Sequence, residues 1–343
     1  MLFDALINVC ANDHTTTPQP KLSNQAPVSS LLVALVGGGG KSSTAFRLAQ
    51  QAQSRGMKVL ITTTTKMYLP SESQCDTIID IENLIYQIDS VSDFLDTSSE
   101  SDTGNKKSAI GSHLNIAESA ASETLTYCDI NSASRSISST HYTPLSFLPA
   151  SLCFCYQNKL ELIENKDKNT KEIKVSGLSF VEIEMIKNAA IFDLIIIEAD
   201  GAKHLPIKAP SRHEPCIPPN VDIVIAVTGC EVINQEIEPA LVHRWTDFQY
   251  ITQCQAGDKL AHQVLARLIA HKDGMFKQVP TSARRVWLIN KVDLASNYVA
   301  VQTLVKDLVK HGVPLDAIWL ASMQAANPMI EVLTRDSITT ISE

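Results

Sequence analysis

The sequence predicts an α/β fold, a mostly parallel sheet with helices on both faces. Short unbroken apolar runs, "LLVALV", "DLIIIE", "VDIVIAV", "VWLIN" and "AIWLAS", alternate with stretches of helical periodicity. That is the signature of strands buried on both faces. Between positions 31 and 64 a strand, a turn, a helix and a second strand are complete, and a crossover of that kind is right-handed and parallel. Four glycines, Gly37, Gly38, Gly39 and Gly40, fall where the first strand gives way to the helix. At 44% hydrophobic residues, the 343-residue chain has ample material for a core.

Residues 1–30 read as an N-terminal extension or linker, because "DHTTTPQPKLSNQAPV" is polar and proline-containing. The opening "MLFDALINVC" has no basic region and too short an apolar stretch for export, and no run is long enough to span a bilayer. The expectation is a cytoplasmic protein with no membrane partner. The first strand runs from about Leu31 to Val36, and "KSSTAFRLAQQAQSRG" is a helix ending at Gly56, a C-terminal glycine stop. "MKVLITTTT" is the second strand. Residues 90–141 are rich in Ser, Thr, Asp and Asn, too poor in apolar area to fold, and read as a disordered insertion. Beyond it come the strand "SLCFCY", a lysine-rich turn over 165–174, the helix "SFVEIEMIKNA" and the remaining strands, with helices over 259–270 and 297–310. One nucleotide-binding-type domain therefore spans 31–330, leaving 331–343 as a tail.

Charge and cysteine content exclude some roles. With 29 Lys and Arg against 37 Asp and Glu, the net charge is −8, which disfavours nucleic acid and anionic membrane as partners. The eight cysteines form no C-x-x-C pair, which suits reduced thiols. Cys153 and Cys155 alternate in a strand and share a side, so they permit a soft metal, although core packing is the ordinary use of such a pair.

The glycine stretch carries the chemistry. The long phosphate-loop pattern G-x-x-x-x-G-K-[ST] needs glycine at 35, where Leu35 stands. The shorter G-x-x-G-K-[ST] fits Gly37 to Ser42 and has the loop length of Mur-ligase-type enzymes. Glycines here can turn successive amides toward a phosphate, and the helix N-terminus adds positive potential. Lys41, a point charge on a solvent-facing loop whose replacement should spare the fold, reaches the β/γ-phosphates. Ser42, followed by Ser43, offers a hydroxyl to Mg²⁺. Glu198 and Asp200 end a buried strand just before Gly201, where carboxylates of phosphate-loop enzymes hold Mg²⁺. They are the candidate metal and catalytic groups together with Lys41. Asn290, Lys291 and Asp293 match the N-K-x-D motif of GTPases, in which the aspartate accepts from guanine N1–H and N2–H₂. "LASM", Leu320 to Met323, is only a loose match to a base-contacting loop. Thr62 to Lys66 could meet the metal or simply fill a strand end, and His213, Glu214, His243 and Arg244 lie where substrate contacts would come.

These motifs occur in order, as "VALVGGGGKSS", "VLITTTTKMYLP", "IIIEADGAKHLPIKAPSRHEP", "VHR" and "LINKVD". In this the chain resembles the YqeC-type selenium-dependent molybdenum hydroxylase accessory family over about 31–85 and 150–325. The resemblance implies a phosphate-loop NTPase-like three-layer sandwich and a role in maturing a selenium-dependent molybdenum hydroxylase or its cofactor. Glu198-Ala199-Asp200-Gly201 is also similar to the E-x-x-G of nickel-insertion GTPases. Three readings stand open: a Mg²⁺-dependent maturation GTPase, an ATP-dependent small-molecule ligase or kinase, and a non-catalytic nucleotide-binding scaffold.

Overall fold

The computed structural model describes residues 1–11, 29–89, 150–165, 170–293 and 298–334. The expected insertion at 90–141, the linker 12–28 and the end of the expected tail lie outside them. In chain order the elements are α1 (Leu2–Ala11), β1 (Leu31–Gly37), α2 (Lys41–Gln53), β2 (Lys58–Thr63), β3 (Lys66–Tyr68), β4 (Thr77–Asp80) and a helix over 81–89, α3. There follow β5 (Ser151–Tyr156), β6 (Asn158–Asn165), β7 (Thr170–Ser176), α4 (Phe180–Ala189), β8 (Leu194–Glu198), β9 (Ile207–Lys208), β10 (Ile223–Gly229) and β11 (Val242–His243). The chain continues through α5 (Trp245–Thr252), α6 (His262–Ala270), β12 (Arg284–Asn290), α7 (Tyr298–Lys310), β13 (Ala317–Ala321) and β14 (Met329–Thr334).

The main sheet has nine strands in the order β14-β13-β12-β10-β1-β8-β2-β5-β4. All neighbours are parallel except β14, which pairs antiparallel with β13. Every residue of β1 is buried, and the reason is visible in its alternation. Leu32, Ala34 and Val36 enter one core, with Ile183 and Ile186 of α4, Leu265 and Leu268 of α6, and Leu304 and Leu308 of α7. Leu31, Val33 and Leu35 enter the other, with Leu48 and Ala52 of α2. The result is the expected α/β sandwich of three layers, consistent with a phosphate-loop NTPase-like fold.

Three elements differ from the sequence reading, one of them β14, which pairs with β13 and so carries the main sheet past residue 330 into the expected tail. Residues 2–11, read as part of an extension, form α1, whose Leu2 and Leu6 are fully buried in the α2-side core. Their apolar positions have helical spacing, and Phe3 N–H donates to Gln51 Oε1 of α2 at 3.0 Å. The lysine-rich stretch read as a turn is largely β7. There Ile173 and Val175 alternate with Lys174 and Ser176, and β7 lies between β3 and β6 in a separate antiparallel sheet.

The order of strands positions the site. β1 and β2 are joined through α2 but are not neighbours, because β8 pairs with both. β10 lies on the other flank of β1. The carboxyl end of β1 is thus a topological switch point, where an open parallel sheet leaves a crevice for ligands.

Candidate functional site

The glycine loop offers its amides only at the helical end. Gly37 N–H donates to Asp200 Oδ2 at 3.0 Å, Gly38 N–H to the Val227 carbonyl at 2.9 Å and Gly39 N–H to the Leu205 carbonyl at 3.0 Å. The amides of Gly40, Lys41, Ser42 and Ser43 meet no acceptor among the described residues. These are the four orphan donors with which any helix begins, here gathered at the switch point. Gly39 and Gly40 have φ of 77° and 118°. A Cβ on Gly39 would strike the Gly229 backbone, and one on Gly40 the Asn290 side-chain amide. Glycine is required at both positions by conformation and by space.

Lys41 does not face solvent, contrary to the sequence expectation. Its side chain is 4% exposed, donates to the Gly37 carbonyl at 2.7 Å, and stands 3.1 Å from Asp200 Oδ1 and 3.9 Å from Glu198 Oε1. Burial works against its charge, yet the Asp200 and Glu198 carboxylates outweigh that and raise its pKa. The two acids divide. Glu198 Oε2 accepts from the Ser42 hydroxyl at 2.8 Å, and burial pushes the Glu198 carboxyl upward against the pull of Lys41. Asp200 is turned away from Ser42, toward Gly37 N–H and two lysines. β8 ends at Glu198, so strand alternation no longer places the residue two further on.

The second lysine is Lys208 of β9, which the sequence reading did not single out. It is 2% exposed at the side chain, 3.1 Å from Asp200 Oδ2 and 2.7 Å from Glu214 Oε2, and donates to the Gly201 carbonyl at 2.7 Å. Arg244 closes the chain of charges with two 3.1 Å hydrogen bonds to Glu214. Thus Glu214 and Arg244, read as substrate contacts, pair with each other. His213 is exposed and His243 is half-buried. Burial would raise the Glu214 pKa, but the Arg244 and Lys208 hydrogen bonds hold it down at about 2, against a usual 4.5. A depressed carboxylate contributes stability that is full above its unfolded value and is lost as pH falls through its folded one. Acid titration of unfolding free energy should therefore show a loss between about pH 4.5 and 2 that is smaller in Glu214→Gln. Equal slopes in the two proteins would contradict the network.

Two strands from β1, β12 ends in Asn290. Its Nδ2 donates to the Gly39 carbonyl at 2.9 Å, while its Oδ1 accepts from Lys291 N–H at 2.8 Å and Met323 N–H at 3.1 Å. Lys291, with φ of 65°, pairs with Glu231. Asp293 is exposed, and its Oδ1 accepts from the Ser322 hydroxyl at 2.6 Å. Ser322 belongs to the loosely matching "LASM" stretch, so the structure brings together what the motif alone did not. Gly40, Ser43, Asn290, Lys291, Asp293, Met323 and Gln324 line a cleft of about 150 Å³. That is below the volume of a whole ligand site, about 300–1,000 Å³, and suits one part of a ligand.

The other candidates are less free. The hydroxyls of Thr62, Thr63 and Thr64 donate to the carbonyls of Cys155, Glu198 and Cys216 at 2.7–2.8 Å. Cys153 and Cys155 are fully buried in the core, and burial raises both thiols. Among the described residues no three His, Cys, Asp or Glu side chains gather as a metal cage, and no helix is long and apolar enough to cross a membrane.

The YqeC protein family matches residues 33–133 and 149–246. The YqeC protein of Escherichia coli (strain K12) is 30% identical over 293 residues, covering 85% of this chain and 88% of the relative. The chain belongs to the YqeC family. No solved structure matches it. In this YqeC-family chain the matched segments include the glycine loop, Glu198 at the end of β8, Asp200 just beyond it, Lys208, Glu214 and Arg244, while Asn290 to Asp293 lie beyond the second segment.

Proposed function

We propose that this protein binds a nucleoside triphosphate, GTP in preference to ATP, together with Mg²⁺, and hydrolyses its terminal phosphoanhydride. One observation carries the reading. Four unpartnered amides, a buried lysine and a serine–carboxylate pair converge at the carboxyl end of β1, and Asn290 ties that loop to the adjoining cleft, which Gly40, Ser43 and Asp293 also line.

The chain's own groups divide the work. The amides of Gly40 to Ser43 and the start of α2 receive the phosphates, which helix N-termini favour. Lys41, held by Asp200 and Glu198, supplies fixed positive charge where negative charge develops. The Ser42 hydroxyl and the Glu198 carboxylate would hold Mg²⁺. They are hard oxygen donors already 2.8 Å apart, and one carboxylate with a hydroxyl fits an ion that shares its shell with phosphates and water. When bound, Mg²⁺ neutralises charge on the phosphate oxygens. Asp200, engaged with Gly37 and two lysines, keeps the loop and Lys41 in position. Asp293, exposed at the cleft, accepts from the base.

The nucleotide chemistry serves, in this proposal, the maturation of a selenium-dependent molybdenum hydroxylase or its cofactor. The support for that role is the family resemblance.

Base choice provides the test. Asp293→Asn replaces a double acceptor with a group that must present a donor. It should weaken GTP relative to ATP by about 1–3 kcal/mol while turnover of bound nucleotide persists. Calorimetric titration of both nucleotides with Mg²⁺ measures it. Equal affinity of the wild-type protein for GTP and ATP would remove the guanine assignment and leave the ATP-dependent ligase or kinase.

A further inference from the structure

We propose that the surface formed by β3, β7 and the connector 201–205 binds a small anionic co-ligand, a phosphate- or carboxylate-bearing molecule, beside the terminal phosphate. The inference rests on the reading of the glycine loop as the phosphate end of the nucleotide site.

Placement comes first. The base cleft lies on the β10–β12–β13 flank of β1, whereas β8 and β2 lie on the other flank. Glu198 and Thr63 are register partners at the ends of β8 and β2, and Thr63 Oγ1 donates to the Glu198 carbonyl at 2.7 Å. β3 starts three residues after Thr63. The exit from β7 is fastened at the same point, through Gly177 N–H to the Thr65 carbonyl at 2.7 Å and Leu178 N–H to the Thr63 carbonyl at 2.8 Å. The connector 201–205 leaves from Asp200. All three segments therefore rise from the strand end that carries Glu198, on the side away from the base.

Chemistry comes second. In register, Tyr68 faces Lys174, and Lys66 shares the Tyr68 face of β3. The Lys174 ammonium is 5.4 Å from the Tyr68 ring centre, and the His204 ring lies nearly parallel to it, 6.3 Å away at 17°. Tyr68 thus meets one ammonium, that of Lys174, as aromatic rings do, and stacks against the His204 ring. Lys203 and His204 are exposed and both have left-handed backbone, with φ of 49° and 62°. Consecutive non-glycine residues there are strained, and such strain concentrates at ligand sites. Glu161 stands opposite Lys174 in register, yet Lys66, Lys174 and Lys203 make no ion pair among the described residues. In a chain of net charge −8, three lysines without an ion pair, two on the Tyr68 face of the small sheet and the third beside His204, give this surface a positive potential that favours an anion.

Titration with inorganic phosphate and with succinate, followed by calorimetry, tests the surface and separates phosphate from carboxylate ligands. The protein is first saturated with Mg²⁺ and a non-hydrolysable triphosphate, so that the glycine loop is filled. Saturable binding of one anion is expected, weakened at least ten-fold in Lys174→Gln/Lys203→Gln. Absence of saturable binding, or equal binding by the variant, would overturn the inference. The same titrations without nucleotide also compare the two proteins. If the triphosphate does not bind at all, the proposed function fails while a wild-type-only anion site still supports this surface.

Discussion

Replacing Lys41 with alanine is expected to abolish nucleotide turnover and also to lower the unfolding free energy by about 3–5 kcal/mol, the scale for breaking a buried ion pair from one side. The side chain is 4% exposed and faces Asp200 Oδ1 at 3.1 Å. Removing it leaves two carboxylates beneath the loop without their shared cation. Denaturant titration measures the stability and phosphate release the turnover. The loss of stability should be largely recovered in Lys41→Met/Asp200→Asn, where neither side of the pair is charged, while turnover stays absent. A folded Lys41→Ala protein of wild-type stability would contradict the buried pair, and wild-type turnover would end the phosphate-loop reading.

Lys208→Met should have an effect on stability of the same order, about 3–5 kcal/mol, through residues that touch no nucleotide in the proposed complex. It would leave the buried Asp200 with Lys41 as its one remaining cation and Glu214 with only the more exposed Arg244. Because Asp200 Oδ2 also accepts from Gly37 N–H, a displaced Asp200 loosens the loop itself, so nucleotide affinity should fall along with stability. Lys208→Arg keeps the charge and should recover part of both. Unchanged stability and affinity in Lys208→Met would show that the buried charges do not hold the loop.

What the sequence made legible was local. The buried strands announce themselves as apolar runs, and the glycine loop, the Glu198–Asp200 pair and the Asn290–Asp293 stretch each sit within a few residues of a strand end. What it hid depends on distant partners. Lys208 in "PIKAP" reads like any surface lysine until Asp200 and Glu214 arrive from either side. Leu2 and Leu6 precede a polar linker that masks them, although their helical spacing marks the face that meets α2. Asp200 and Glu198 could not be told apart, because that distinction is made where the chain leaves β8. The same holds for Gly37, Gly38 and Gly39, whose amides are engaged by Asp200, Val227 and Leu205.

That engagement bears on the speed of binding as well as its strength. With the first part of the glycine stretch held by a carboxylate and two carbonyls, the loop already has its shape before a ligand arrives. Little chain entropy then remains to be lost on association. Association should be governed by diffusion and charge steering rather than by loop closure, and differences among nucleotides should be expressed in how long each stays.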